Sequence, residues 1–259
     1  MRQRGFHHIE LSSDVSPPEG WFSALSREIA LDDVTSGRVG THLTRPDERG
    51  IPLVRTTTSY DSPPRRFSPA HDELMRQLQI ATRRSGLEEL DEAPFNNALL
   101  EIYDQRYRKM GFHSDQALDL DPSSFIAIFS CYDQPPRRSL RRLSVKSKET
   151  DERFSIDLTP NSVVIFSVET NARYLHKIHL PGGAAEELRW LGVTLRRAGT
   201  YLRFDQGVAR LPNGAPLSLA DEDQRITFLK LRGQENRAVD FQYPELNVTI
   251  SPGDLSPPT

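Results

Sequence analysis

The chain has 259 residues, 36% of them hydrophobic and 27% charged, with a formal net charge of -3; it is long enough to bury its own core and lacks the basic excess that tracks phosphates along nucleic acid. There is no run of about 18 apolar residues to span a bilayer, and the start Met-Arg-Gln-Arg-Gly-Phe-His-His lacks a signal peptide's apolar stretch, so a cytoplasmic chain with no membrane partner is expected. The single cysteine, Cys131, excludes an intramolecular disulfide and falls in an apolar run that predicts a buried, inert thiol.

Residues 1–93 read as an N-terminal extension, largely helical. Trp21, Phe22, Leu25 and Ile29 recur at helical spacing after Pro17-Pro18, and Leu74, Leu78 and Ala81 after Ser68-Pro69, predicting two helices packed on a sheet. Between them, Val54 to Tyr60 followed by Pro63-Pro64-Arg65-Arg66-Phe67 predicts a strand and ordered turn, a lid whose Tyr60 and Phe67 wall a substrate pocket. From Pro94 onward short β-rich runs take over: Ala98 to Tyr103, Phe125 to Tyr132, Phe154 to Leu158, Ser162 to Val168, Leu191 to Leu195, Thr200 to Phe204 and Ile226 to Leu231. Turn signals such as Asp121-Pro122 and Pro212-Asn213-Gly214 separate them. The pattern predicts one mainly β domain, sandwich or barrel, with its core at 94–205 and further strands and a Pro- and Ser-rich tail at 206–259.

His113-Ser114-Asp115 is the only His-x-Asp in the chain, and side chains two apart in extended backbone share a face, so both can reach one ion. A third ligand must come from elsewhere. Tyr174-Leu175-His176-Lys177-Ile178-His179 offers His176 and His179 just after a strong strand. Two imidazoles and one carboxylate leave three coordination positions open, the arrangement of non-haem Fe(II) oxygenases. A dicarboxylate co-substrate chelating such an iron needs a cation at its far end. Arg189 and Arg196 flank the strand Trp190 to Leu195, and Thr194 shares the face of Arg196.

Taken in order, Phe95-Asn96-Asn97-Ala98-Leu99-Leu100-Glu101-Ile102-Tyr103, Gly111-Phe112-His113-Ser114-Asp115, Ile126 to Ser130, Asn161 to Phe166, Leu175 to Ile178 and Gly192-Val193-Thr194-Leu195-Arg196 resemble the AlkB-like branch of the 2-oxoglutarate and Fe(II)-dependent oxygenases. The resemblance runs from about Phe95 to Phe204. It implies a double-stranded β-helix (jelly-roll) core and a catalytic Fe(II) held by His113, Asp115 and His176. It also implies O₂ and 2-oxoglutarate as co-substrates, with Tyr103 and Arg196 contacting the keto acid, which leaves as succinate and CO₂ while an organic substrate is oxidised. The chain departs from the family twice. Glu101 stands where the family has Asn, an acid expected to repel a dicarboxylate unless it turns away. Trp190 stands where the family has an arginine six residues before its closing one, and Arg189, one step off, needs a bulge to face inward.

A small organic molecule that is hydroxylated, desaturated or dealkylated is the expected substrate. The alternative is oxidative demethylation of nucleobases turned out of DNA or RNA, for which Arg137-Arg138-Ser139-Leu140-Arg141-Arg142, with Lys146 and Lys148, would grip phosphates; Glu149, Asp151 and Glu152 dilute that field. A non-catalytic β-helix binding protein is the reading from another class. It leaves the three open coordination positions without a use.

Overall fold

The structure is a computed structural model and describes residues 2–12, 16–27, 29–87, 94–108, 110–136, 140–182 and 187–259. The chain opens with β1 (Arg2–Gln3) and β2 (Phe6–Glu10), turns through α1 (Gly20–Ser26) and returns in β3 (Asp32–Thr35) and β4 (Arg38–Thr44). The short β5 (Ile51–Leu53) and β6 (Arg65–Arg66) lead into α2 (Pro69–Arg84). Next come β7 (Asn97–Tyr103), β8 (Phe125–Tyr132), β9 (Arg142–Ser147), β10 (Arg153–Asp157) and β11 (Ser162–Ser167). After α3 (Val168–Arg173) the chain runs through β12 (Tyr174–His179), β13 (Trp190–Arg196), β14 (Thr200–Asp205) and β15 (Val208–Arg210). β16 (Ser218–Leu219), α4 (Glu222–Glu235) and β17 (Val248–Thr249) close it.

A nine-stranded sheet runs β1-β2-β11-β8-β13-β7-β4-β3, with β6 beside β4, and β10-β9-β12 form a second sheet. Alternation along the strands gives the large sheet two different faces. On β13, Leu191, Val193 and Leu195 point outward and join Ala98 and Leu100 of β7, Phe129 and Cys131 of β8, and Trp21, Phe22, Leu25, Leu74 and Leu78 of α1 and α2 in one buried cluster. The helices therefore pack on the sheet as expected. Burial pushes the Cys131 thiol up, which keeps it inert. The inner face carries Ile126 and Ile128 of β8 and Val164 and Phe166 of β11, packed against Leu143 and Val145 of β9, Ile156 of β10 and Ile178 of β12. Two sheets closing on one core make the mainly β jelly roll that the sequence predicts.

Three expectations are corrected. Ile226 to Leu231 is not a strand but part of α4: Asp221 Oδ1 accepts from Gln224 N at 2.9 Å while Gln224 Oε1 accepts from Asp221 N at 3.0 Å, a reciprocal cap that starts a helix. Residues 54–60 hold no strand; the local strand ends at Leu53. The N-terminal extension is also less helical than predicted, because β2, β3 and β4 widen the main sheet and β4 pairs with β7 along its whole length. Among the described residues, no helix is long and apolar enough to cross a membrane.

Candidate metal centre and the cavity beside it

Backbone pairing brings the two distant histidines together. His113 N donates to His176 O at 2.9 Å and His176 N to His113 O at 2.6 Å, a doubly bonded antiparallel bridge. Residues opposed in this way point their side chains to one face, and the ring centroids are 4.8 Å apart. Asp115, two residues on, is fixed by Asn171 of α3: its N donates to Asn171 Oδ1 at 2.8 Å and its O accepts from Asn171 Nδ2 at 2.7 Å. Its carboxylate Oδ1 then lies 3.4 Å from His176 Nε2. One donor atom from each of His113, Asp115 and His176 falls within 4.8 Å of the others, the one such group among the described residues. His179, three positions along β12, faces elsewhere and meets Ser144 Oγ at 2.9 Å.

The protonation states suit a cation. His113 Nδ1 lies 2.9 Å from Gly111 O, a bond it makes as donor, which leaves Nε2 as the ligand atom. Burial, with His176 and Arg232 nearby, lowers His113 to about 3, so the imidazole is neutral at ordinary pH. Burial works to raise the Asp115 carboxyl, but the His176 hydrogen bond and the charges of His176, Arg196 and His113 outweigh it and hold Asp115 below the usual range. Two imidazoles and a carboxylate are the donor set that Fe(II) accepts.

A cavity opens beside the trio, lined by Thr194 and Arg196 of β13, Glu101 and Tyr103 of β7, Arg38 of β4 and Thr56, Thr57 and Thr58. Arg196 is 2% exposed; its Nη2 donates to Asn97 Oδ1 at 3.3 Å and its Nε has no partner. Such a guanidinium has donors to spare for a carboxylate. Glu101 does not turn away from the cavity. Its Oε1 accepts from Arg38 Nε at 2.6 Å and from Tyr60 OH at 3.2 Å, and its Oε2 accepts from Tyr103 OH at 2.5 Å.

The strand register explains why the second arginine is missing. Arg38, Tyr103, Trp190 and Tyr132 lie in one row across β4, β7, β13 and β8 with no bulge. Trp190 faces inward, 4.9 Å from the Tyr103 ring, and a Cβ on Gly192 would lie 2.0 Å from its indole, so the ring lies back over the glycine. Arg189 is thereby left outside: its Nε donates to Asp133 Oδ2 at 2.9 Å and its guanidinium sits 5.0 Å from the Phe22 ring. The expected role of Arg189 at the co-substrate is corrected on that ground. Phe67 is likewise misplaced by the sequence reading. It packs with the outer cluster beside α2, stacked on His71 and covered by Arg45. Tyr60 reaches the cavity only through its hydroxyl on Glu101.

Sequence reasoning missed Arg38, Arg232, Gln116 and Asn171. Gln116, 4% exposed, borders the cavity with both amide atoms buried and unpartnered, and Arg232 reaches it from α4. The capping signal Asp221-x-x-Gln224 would have revealed α4 and so Arg232; nothing in the local sequence marks Arg38. Of the basic segment, Arg137 and Arg138 lie outside the described residues. Arg141 is buried, donating to Tyr107 O and Asp104 O, and Arg142 pairs with Asp157. Lys148 Nζ donates to Glu235 O and Ala238 O.

A jelly roll that gathers two imidazoles and a carboxylate beside an arginine-bearing cavity has the frame of a non-haem iron oxygenase. The family model of the 2OG-Fe(II) oxygenase superfamily matches residues 36–187, which include all three members of the trio, and the chain belongs to that superfamily of dioxygenases. Among solved structures it is similar to OsALKBH1 at 14% identity, covering 76% of this chain and 98% of that one, with a TM-score of 0.48. A bsmA homologue from Methylobium petroleophilum PM1 is similar at 16% identity, covering 66% and 78%, with a TM-score of 0.40. No curated protein matches the sequence.

Proposed function

We propose that the chain uses Fe(II), 2-oxoglutarate and O₂ to oxidise a small organic molecule by hydroxylation, desaturation or dealkylation. The observation that carries this is the reciprocal backbone bridge between His113 and His176, which sets both imidazoles on the Asp115 side. In this reading His113, Asp115 and His176 hold the iron, and Arg196, with Thr194 beside it, faces the keto acid. O₂ would be the oxidant, taking two electrons from the keto acid and two from the substrate once the metal is bound; the chain's residues orient these groups and exclude water. A small molecule is favoured over a nucleobase because Arg141, Arg142 and Lys148 already serve internal partners and offer little free charge to a phosphate backbone.

Anaerobic addition of Fe(II) and 2-oxoglutarate should give a weak visible charge-transfer band that His113→Ala and Asp115→Ala each abolish. A band unchanged in both variants rejects the ligand assignment. Succinate release should rise with a small-molecule extract of the source cell and stay flat with methylated single-stranded DNA or RNA. Stimulation by the nucleic acids alone would replace the small-molecule reading with base demethylation.

A further inference from the structure

Glu101 is a buried acid inside a cavity meant for a dianion, and its surroundings say how it is tolerated. A guanidinium and two phenols converge on it: Arg38 Nε at 2.6 Å, Tyr103 OH at 2.5 Å and Tyr60 OH at 3.2 Å. Three such donors around two oxygens form a receptor for a carboxylate of any origin. On the β4 side the row leaves room for it, since Gly40 stands opposite Glu101 and a Cβ on Gly40 would approach Glu101 Cγ to 3.1 Å.

Among the described residues Arg38 has no other anion. Its other side-chain hydrogen bonds go to the neutral Thr58 Oγ1 at 3.2 Å and Tyr107 OH at 3.5 Å, and its guanidinium lies 5.8 and 5.6 Å from the Tyr103 and Tyr107 rings. Among the described residues, the other cations near this part of the cavity are engaged elsewhere: Arg189 is outside, and Arg141, whose guanidinium lies 5.1 Å from the Tyr103 ring, donates Nη1 and Nη2 to the carbonyls of Tyr107 and Asp104. Arg196 lies six residues along β13 from the Trp190 row, roughly 20 Å of strand, so it cannot serve the same end of the cavity.

We propose that Glu101 is an internal competitor of the co-substrate: its carboxylate occupies the receptor formed by Arg38 and Tyr103, and 2-oxoglutarate binds by taking those donors from it. The proposal rests on the oxygenase reading above and deepens it. Arg38, from a strand outside the 94–205 core, does the work of the arginine that Trp190 has displaced, and Glu101 sets how much keto acid the enzyme needs before it fills.

The test is the affinity of 2-oxoglutarate for the Mn(II)-loaded protein, measured by calorimetry without turnover. Glu101→Gln keeps the shape and removes the competing charge, so binding should tighten by about tenfold or more. Arg38→Met should weaken it by a similar factor, and the double variant should bind no better than Arg38→Met alone. Mn(II) binding by electron paramagnetic resonance checks that each variant folds; if Arg38→Met fails that check, Glu101→Gln against wild type decides alone. Equal or weaker binding by Glu101→Gln, with wild type binding normally, overturns this proposal and leaves the oxygenase reading intact. If neither protein binds 2-oxoglutarate while both bind Mn(II), the co-substrate assignment itself falls, and this proposal with it.

Discussion

The two ends of the cavity were built by different means. At the metal end, two candidate ligands sit two residues apart and the third is delivered by a single backbone bridge, so the pattern survives in the linear sequence as His113-x-Asp115 and a later histidine. At the other end the carboxylate receptor is assembled from β4, β7 and the segment before β6, joining Arg38, Glu101, Tyr103 and Tyr60 across a sequence separation of up to 65 residues. Local spacing gathers the residues proposed to bind the ion; tertiary register gathers those proposed to hold the co-substrate. The first is the more tightly constrained, because a metal requires all its ligands at once, whereas a cation for a carboxylate can come from any strand that faces it.

The largest effect should follow from breaking the metal end. Asp115→Ala removes the sole anionic ligand of the trio, so turnover should disappear and Mn(II) affinity should fall by more than about a hundredfold, beyond what loss of a ligand-orienting group produces. Retained Mn(II) binding in a calorimetric titration would mean that the trio does not act as one site. Next in size is the clamp behind it. Arg55 and Asp119, 4% and 0% exposed, pair through Nε and Nη2 at 2.9 and 2.8 Å, and Arg55 Nη1 also donates to Leu246 O and Val248 O. Arg55→Met strands a buried carboxylate four residues past Asp115, and urea unfolding should show a loss of about 3–5 kcal/mol. A loss much smaller than that would show the metal end to be held independently of the C-terminal segment.

How much of this was legible follows the same division. The strands Phe125–Tyr132 and Asn97–Tyr103 were readable because their apolar runs are buried on both faces of a central sheet. β9 and β12 were not picked out as strands because their apolar residues are few: β9 has only Leu143 and Val145, and in β12 the adjacent polar His176 and Lys177 interrupt Leu175 and Ile178. α4 was misread because its apolar residues Ile226 and Leu229 are exposed and its hydrophobic pattern is weak; only the cap carried the signal. Trp190 stands out in the sequence as a departure from the resemblance, but its consequence, an indole laid over Gly192, depends on a contact no linear pattern encodes.

A finer test of the metal end is Asn171→Ala. The amide grips both backbone groups of Asp115 and is 1% exposed, so its loss should free the ligand to drift and lower Mn(II) affinity by about 10–100-fold while the fold persists. The same calorimetric titration measures it. An unchanged affinity would mean that the His113–His176 bridge alone aims the carboxylate.

The smallest effect is expected at Arg189, and it bears on the other end of the cavity. Its side chain lies over Phe22 on the helix side of the sheet, with Nε bonded to Asp133 Oδ2 and its backbone N bonded to Asp133 Oδ1 at 3.0 Å. An exposed pair of this kind adds little, so Arg189→Ala should change stability by no more than about 0.5 kcal/mol. Affinity for 2-oxoglutarate should stay within about twofold of wild type, since the residue makes no contact with the cavity. A tenfold weakening would require β13 to start one residue earlier on its inner face, which would expel Trp190 from the row it shares with Arg38, Tyr103 and Tyr132. Arg38 would then lose its claim as the cation of that end, because the displaced arginine would have returned to it.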